Sequence, residues 1–109
     1  MLLEKVEVSN VYFQCNGKDL VCSFIPGIGA EDITYSVIFF SHCDSFPNVT
    51  AVSEYENGIC LATIDVDSLV ENVKYSVVLC MEREEAVRNL TLADVFSFEG
   101  NSCSWQGLE

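Results

Sequence analysis

The most constraining feature of this sequence is its short alternation of apolar and polar residues, interrupted by turn residues about every 8 to 15 positions. No long segment has the spacing of an amphipathic helix. Such alternation turns one face of a strand to the core and the other to solvent, as in antiparallel sheets. The sequence therefore predicts an all-β fold. The predicted strands cover residues 6–15, 19–25, 33–40, 59–66, 73–83 and 87–98.

Turn residues predict how these strands are connected. Asn16 and Gly17 both tolerate positive φ and separate the first two strands, which predicts a tight hairpin. Between residues 40 and 59 we expect a long connection that carries one or two short edge strands. We therefore predict a seven-stranded antiparallel β-sandwich over residues 4–99. Residues 100–109 are expected to be a tail, either a linker or a remnant added for expression.

Composition and charge restrict the partners. Half of the 109 residues are apolar and 20% are charged, as in a folded domain. The formal net charge of -12 opposes binding to phosphate backbones and to anionic lipid, so we expect neither nucleic acid nor a membrane surface as a partner. The acidity either keeps the domain soluble or steers a basic partner onto an acidic face. No apolar run approaches the roughly 18 to 20 residues that span a bilayer, so this segment should not insert into a membrane.

Six cysteines in so short a chain leave two interpretations. An even number of cysteines in a small domain suggests disulfides and an oxidising compartment. The alternative is a cytosolic protein with reduced cysteines, because free cysteine is also a good core residue. The amino-terminal residues lack the apolar segment of a secretory signal, so an extracellular protein with this sequence would be part of a longer one.

One pair of residues connects the alternation to a known family. Leu69 lies six positions before Tyr75, which opens an alternating strand. This spacing resembles the crossing between strands E and F of a fibronectin type III domain, although the Pro-Gly of the usual Leu-x-Pro-Gly-Thr-x-Tyr pattern is missing. The resemblance implies that Leu69 closes the bottom of the sandwich and that the Tyr75 hydroxyl returns to the backbone. An ordinary strand with a buried tyrosine is the alternative.

The cysteine order adds a second likeness. Cys15 and Cys22, followed by Phe24, and then Cys43 and Cys60 are similar to the amino-terminal fibronectin-like module of class I cytokine receptors. That family commonly has Trp where Phe24 stands here. The resemblance implies a fibronectin type III or immunoglobulin-like sandwich with two disulfides, Cys15–Cys22 and Cys43–Cys60. The predicted hairpin independently brings the first pair within plausible reach.

The resemblance also implies a function. The chain would be an extracellular ligand-binding module of a cell-surface receptor, part of a longer membrane-anchored or secreted protein. Its partners would be a protein ligand, a cytokine, bound through inter-strand loops, and a second receptor chain. The E-to-F loop is a usual ligand contact in that family. The corresponding residues here are Asp67, Ser68, Val70, Glu71 and Asn72.

Further candidate residues come from the middle connection and from sequence triplets. Phe46 and Tyr55 are candidate anchors for a partner, because interface hot spots favour aromatic side chains, although both could instead cover the sheet edge. Asn48 and Asn89 begin Asn-x-Thr triplets, which are glycosylation acceptors in a secreted glycoprotein and which also arise often by chance.

Two cysteines depart from the four-cysteine pattern. Alternation places Cys80 on the face opposite the core, and a hairpin around residues 84–85 pairs it near Asn89. Cys103 lies far along the chain, so the two cysteines meet only if the tail folds back. Otherwise they are free thiols, form an intermolecular bridge, or pair with cysteines outside this chain.

Nothing in the sequence indicates an enzyme, a metal site or a cofactor. His42 is the single histidine, and its neighbour Cys43 would point to the opposite face of a strand. The carboxylate pair Asp65 and Asp67 is typical of solvated turn charges. The alternatives to the receptor module are a fibronectin-like adhesion or receptor spacer module and an intracellular β-sandwich scaffold with reduced thiols.

Overall fold

Burial alternates along the strands of the computed structural model, which describes residues 6–27, 32–42 and 48–107. In the central strand Tyr75–Arg83, for example, every second side chain from Tyr75 to Met81 is buried. This confirms the period-two pattern of the sequence. The strands of the described residues are β1 Val8–Asn16, β2 Asp19–Pro26, β3 Thr34–Ser41, β4 Val49–Val52, β5 Glu54–Glu56, β6 Ile59–Asp65, β7 Tyr75–Arg83, β8 Ala86–Glu99 and β9 Ser102–Gly107.

The strands form two antiparallel sheets. One sheet has the order β1-β2-β6-β5, and the other has the order β4-β3-β7-β8-β9. The all-β prediction is confirmed, and the middle connection supplies the expected short edge strands as β4 and β5. The described residues hold more strands than the seven that we expected.

The core lies between the two sheets and is built around aromatic side chains. The ring of Phe13 in β1 lies 4.9 Å from that of Phe96 in β8 and 6.3 Å from that of Phe39 in β3. Phe24 in β2 contacts Tyr35 in β3, with 5.4 Å between the ring centroids. These contacts join the first sheet to the second, so the fold is a two-layered sandwich of sheets packed face to face.

The first hairpin has the predicted turn. Asn16 pairs with Asp19, so a two-residue loop of Gly17 and Lys18 joins β1 to β2. Gly17 has a φ of +67°, a conformation that glycine adopts without steric cost.

The last strand was not expected. We assigned residues 100–109 to a tail, whereas Ser102–Gly107 forms β9 and pairs with β8. Gly100, with a φ of +57°, reverses the chain between the two strands. Cys103 and Trp105 are half-buried and pack against the core, which is why this segment joins the sandwich.

No helix in the described ranges is long and apolar enough to cross a membrane.

Candidate functional site

The loop between β6 and β7, residues 66–74, contains the five residues for which the resemblance implied ligand contact. Its anchors are Leu69 and Tyr75, whose side chains are 6% and 1% exposed. The backbone N–H of Val70 donates a 2.9 Å hydrogen bond to the Tyr75 hydroxyl oxygen. The roles expected for Leu69 and Tyr75 are confirmed, and this bond fixes the loop onto the end of the sandwich.

Short-range hydrogen bonds shape the first half of the loop. Val66–Ser68 forms a 3₁₀ turn, and the Asp65 carboxylate accepts a 2.9 Å hydrogen bond from the Asp67 backbone N–H at its start. The Leu69 N–H donates to the Val66 carbonyl at 3.1 Å, which ends the turn. An aspartate in this position is a common cap because its short side chain reaches the backbone two residues on.

Two other turns support the same loop. The Val66 N–H donates to the carbonyl of Lys18 in the β1–β2 turn at 2.8 Å. On the other side, the N–H of Gly100 in the β8–β9 turn donates to the Glu71 carboxylate at 3.1 Å, and the Asn72 N–H donates to the Phe98 carbonyl at 3.0 Å. We call the surface formed by residues 17–18, 66–74 and 100–101 the loop end.

All five predicted loop residues are exposed at the loop end. Several of them also hold the loop in place: the backbone of Asp67, Val70 and Asn72 donates hydrogen bonds, and the Glu71 carboxylate accepts one. The exposed side chain of Val70, 38% accessible, is left as an apolar contact point on a fixed backbone. Ser68 lies beside it in the 3₁₀ turn.

Tyr55, one of the two aromatic candidates, does not join this site. Tyr55 is 68% exposed and pairs with Cys60 near the start of β6, whereas the loop end begins after Asp65, at the other end of that strand. Five residues of strand separate the two positions by about 17 Å. Phe46 lies outside the described residues. Tyr55 is therefore an exposed edge residue remote from the loop.

Carboxylates dominate the loop end. Asp19 and Asp65 occupy paired positions on β2 and β6, and both are exposed. The nearby basic side chains belong to Lys18 and Lys74. The other exposed carboxylates in and beside the loop end are Asp67, Glu71 and Glu99. This surface can attract a basic partner, which is the second of the two interpretations of the acidity.

His42 lies beside the loop end, where hydrogen bonds hold both its backbone and its ring. Its backbone N–H donates to the Lys74 carbonyl at 2.9 Å, and its Nε2 lies 2.8 Å from the Ser76 hydroxyl oxygen. Ser76 donates its own proton to the Asp94 carbonyl at 3.1 Å, so Nε2 must be the donor toward Ser76. An imidazole nitrogen that donates cannot act there as a base. The neighbouring Cys43 lies outside the described residues.

Cys15 and Cys22 are not joined to each other in the structure, and the hairpin disulfide that the resemblance implies stays a prediction. The two-residue turn pairs Cys15 with Leu20 and Phe13 with Cys22, so the cysteines are offset diagonally instead of facing each other. The Sγ of Cys15 lies 2.8 Å from the Sγ of Cys103 instead. Sequence reasoning missed this contact because it depends on β9.

The remaining cysteines differ in environment. Burial raises the pKa of Cys22 to about 12 and that of Cys60 to about 11. The predicted pairing of Cys60 with Cys43 stays a prediction, since Cys43 lies outside the described residues. Cys80 pairs with Asn89 as predicted. Its thiol donates to the Glu82 carboxylate at 3.7 Å, and partial burial, together with the Glu82 charge, raises its pKa.

The predicted glycosylation positions are accessible. Asn48 precedes β4 and Asn89 lies in β8, and both side chains are exposed. Glycosylation of either residue stays a prediction. A groove elsewhere, between β1 and β9, includes Asn10, Arg88 and Gln106 among its lining residues and does not reach the loop end.

In the described part of the chain, no three His, Cys, Asp or Glu side chains are grouped to hold an ion. The loop end has exposed carboxylates around the exposed apolar side chain of Val70. Comparisons with protein-family models, with curated proteins and with solved structures find no match to this chain.

Proposed function

We propose that this protein is an extracellular ligand-binding module of a cell-surface receptor, most like the amino-terminal module of class I cytokine receptors. Its sheet order supports a sandwich of the fibronectin type III or immunoglobulin type, since β1, β2, β6 and β5 follow the A-B-E-D order of such sheets. The hydrogen bond from Val70 to Tyr75 supports the same assignment, because a tyrosine corner at this crossing is a hallmark of the architecture.

The observation that carries the proposal is the fixation of the β6–β7 loop. Lys18, Tyr75 and Phe98 accept hydrogen bonds from its backbone, and Gly100 donates one to its Glu71 carboxylate. The side chains of the five predicted contact residues are exposed. A loop that is already ordered loses little conformational entropy on binding. Rigid scaffolds that present loops in this way are typical of recognition domains.

The charge of the loop end indicates the kind of ligand. A partner with a basic patch would be attracted to the exposed carboxylates, and an apolar side chain of that partner would contact Val70. Electrostatic attraction of this kind acts mainly on the association rate and weakens with salt. We therefore expect a protein ligand, a cytokine with basic residues on its contacting face.

The test is a binding screen of the immobilised protein against helical cytokines, with Val70→Asp as the probe of the loop end. A buried charge opposite an apolar contact should weaken binding about tenfold or more. Val87→Asp is the matched control, because Val87 is also an exposed valine and lies near the β7–β8 turn. Equal binding of both variants, or no binding by any cytokine in the panel, would contradict the proposal.

A second candidate function is favoured by Cys22. Its side chain is fully buried, where a reduced cysteine packs as a small apolar residue, as in an intracellular β-sandwich scaffold with reduced cysteines. The oxidation state in protein isolated from its native cells distinguishes the candidates. Disulfide-linked peptides favour the extracellular module, and six alkylatable thiols favour the intracellular scaffold.

A further inference from the structure

Two cysteines that are distant in sequence meet between the edges of the two sheets. Cys15 lies near the end of β1, and Cys103 lies near the start of β9, with their Sγ atoms 2.8 Å apart. The strands β1 and β9 are edge strands of opposite sheets and contact each other along one side of the sandwich. The contact between the sulfurs therefore spans the two layers.

Packing of the two strands holds these sulfurs together. Cys15 is 8% exposed and points into the core. Cys103 pairs with the buried Phe98, so both face the core side of their sheet. Phe13 lies two residues before Cys15 and Trp105 two residues after Cys103, and their rings pack with 5.2 Å between the centroids. The neighbouring aromatic contact fixes the distance between the strands next to the sulfurs.

We propose that Cys15 and Cys103 form a disulfide bond that joins the two sheets beneath the loop end. A small-molecule disulfide such as oxidised glutathione is the oxidant. The thiolate of one cysteine attacks it, forms a mixed disulfide and releases one glutathione thiolate. The second cysteine, after losing its proton, then attacks the protein sulfur of the mixed disulfide and releases the second glutathione. Two protein thiols are oxidised and one glutathione disulfide is reduced to two thiols.

Two other described cysteines, Cys22 and Cys80, are poorly placed to compete. Cys22 lies opposite Phe13 and not opposite Cys15. Cys80 is on the face of β7 that points away from the core, beside Glu82 and Asn89. The geometry therefore selects the pair between β1 and β9 over the hairpin pair that the family resemblance implies.

The bridge would also affect the loop end, a consequence that rests on the proposed function. Cys15 lies two residues before Gly17, and Cys103 lies three residues after Gly100. The turns at these glycines supply Lys18 and Gly100, which hold the β6–β7 loop through hydrogen bonds. Joining the two strands covalently would thus restrain both turns that support the loop.

The reaction should be slow at neutral pH. Burial and the neighbouring Cys15 thiol raise the pKa of Cys103 to about 12. The thiolate is the attacking species. Below this pKa, the fraction of Cys103 present as thiolate should rise roughly tenfold for each unit by which the pH increases. Formation of the bridge should accelerate accordingly in mildly alkaline buffer.

The experiment uses the full chain, reduced and then exposed to oxidised glutathione at about pH 8.5, where exchange is faster. Digestion without reduction, followed by mass spectrometry, should give a linked peptide containing Cys15 and Cys103 as the main product. Three results would overturn the proposal. They are a dominant Cys15–Cys22 link, a reaction that stops at mixed disulfides, and continued alkylation of both Cys15 and Cys103 in the folded protein.

Variants separate the bridge from general effects of oxidation. Oxidation should raise the melting temperature of the unmodified chain and of the Cys80→Ala control, and it should leave Cys103→Ala unchanged. Circular dichroism establishes that Cys103→Ala is folded, and Cys15→Ala provides the reciprocal variant if it is not. A rise of equal size in all variants would overturn the proposal. If the bridge forms but no cytokine binds, the proposed function fails and the disulfide stands.

Discussion

The hydroxyl of Tyr75 accepts a 2.9 Å hydrogen bond from the backbone N–H of Val70, five residues earlier in the chain. Through this bond a residue of the second sheet fixes the loop that arrives from the first sheet. The Tyr75 ring is buried and packs against Phe39, with 6.3 Å between the centroids. The position of the loop end is therefore tied to the aromatic core, and it should change when the corner is weakened.

Tyr75→Phe should destabilise the protein by about 1 to 2 kcal/mol, because it keeps the ring and leaves the part-buried Val70 N–H without its acceptor. Urea denaturation at neutral pH measures the free energy of unfolding. Tyr55→Phe is the control, since Tyr55 is 68% exposed. Equal stability of Tyr75→Phe and the unmodified chain would show that the corner bond contributes nothing.

Leu69→Ala should lower the free energy of unfolding by about 2 to 4 kcal/mol, because the side chain is buried and its removal leaves a cavity. The neighbouring Val70→Ala should change it by less than about 0.5 kcal/mol, since Val70 is exposed. Denaturation of the two variants in parallel compares adjacent positions in one loop. If Val70→Ala lowered the free energy of unfolding as much as Leu69→Ala, the Val70 side chain would be packed in the core and not exposed.

The strands were predictable because a strand with one face in the core has an apolar side chain at every second position. Each buried position in β7 has an exposed or half-buried neighbour, and this alternation is visible in the sequence. The pairing of Cys80 with Asn89 followed from the turn at residues 84–85, where the direction of the chain reverses. Local signals of this kind determine strands, hairpins and the residues that face the core.

Contacts between distant segments were not predictable in the same way. In β9 only Cys103 and Trp105 alternate with polar residues, which is too short a pattern to predict a strand. Its place depends on pairing with β8 and on ring contacts with β1, which no local pattern encodes. The support of the β6–β7 loop by the β1–β2 and β8–β9 turns was missed for the same reason, although the Leu69 and Tyr75 anchors were found.

Stability should fall as the pH rises above about 9, because burial raises the pKa of Cys22 to about 12 from 9.0. Between these values the unfolded state loses the Cys22 proton while the folded state keeps it. Deprotonation therefore favours the unfolded state and lowers the free energy of unfolding. Urea denaturation of reduced protein across this range measures the slope. Cys22→Ala should have a shallower slope. An identical slope in both proteins would contradict a buried, protonated thiol at this position.

Trp105→Ala tests whether β9 belongs to the folded unit. Trp105 contacts both Phe13 and Tyr12, with ring centroids 5.2 and 5.5 Å apart. Since the side chain is half-buried, its loss should cost about 2 kcal/mol, below the range for fully buried aromatic residues. Gln106→Ala, an exposed position in the same strand, should have little effect. If both variants unfold at the same urea concentration as the unmodified chain, β9 contributes nothing to the core, and the contact between Cys15 and Cys103 loses its support as well.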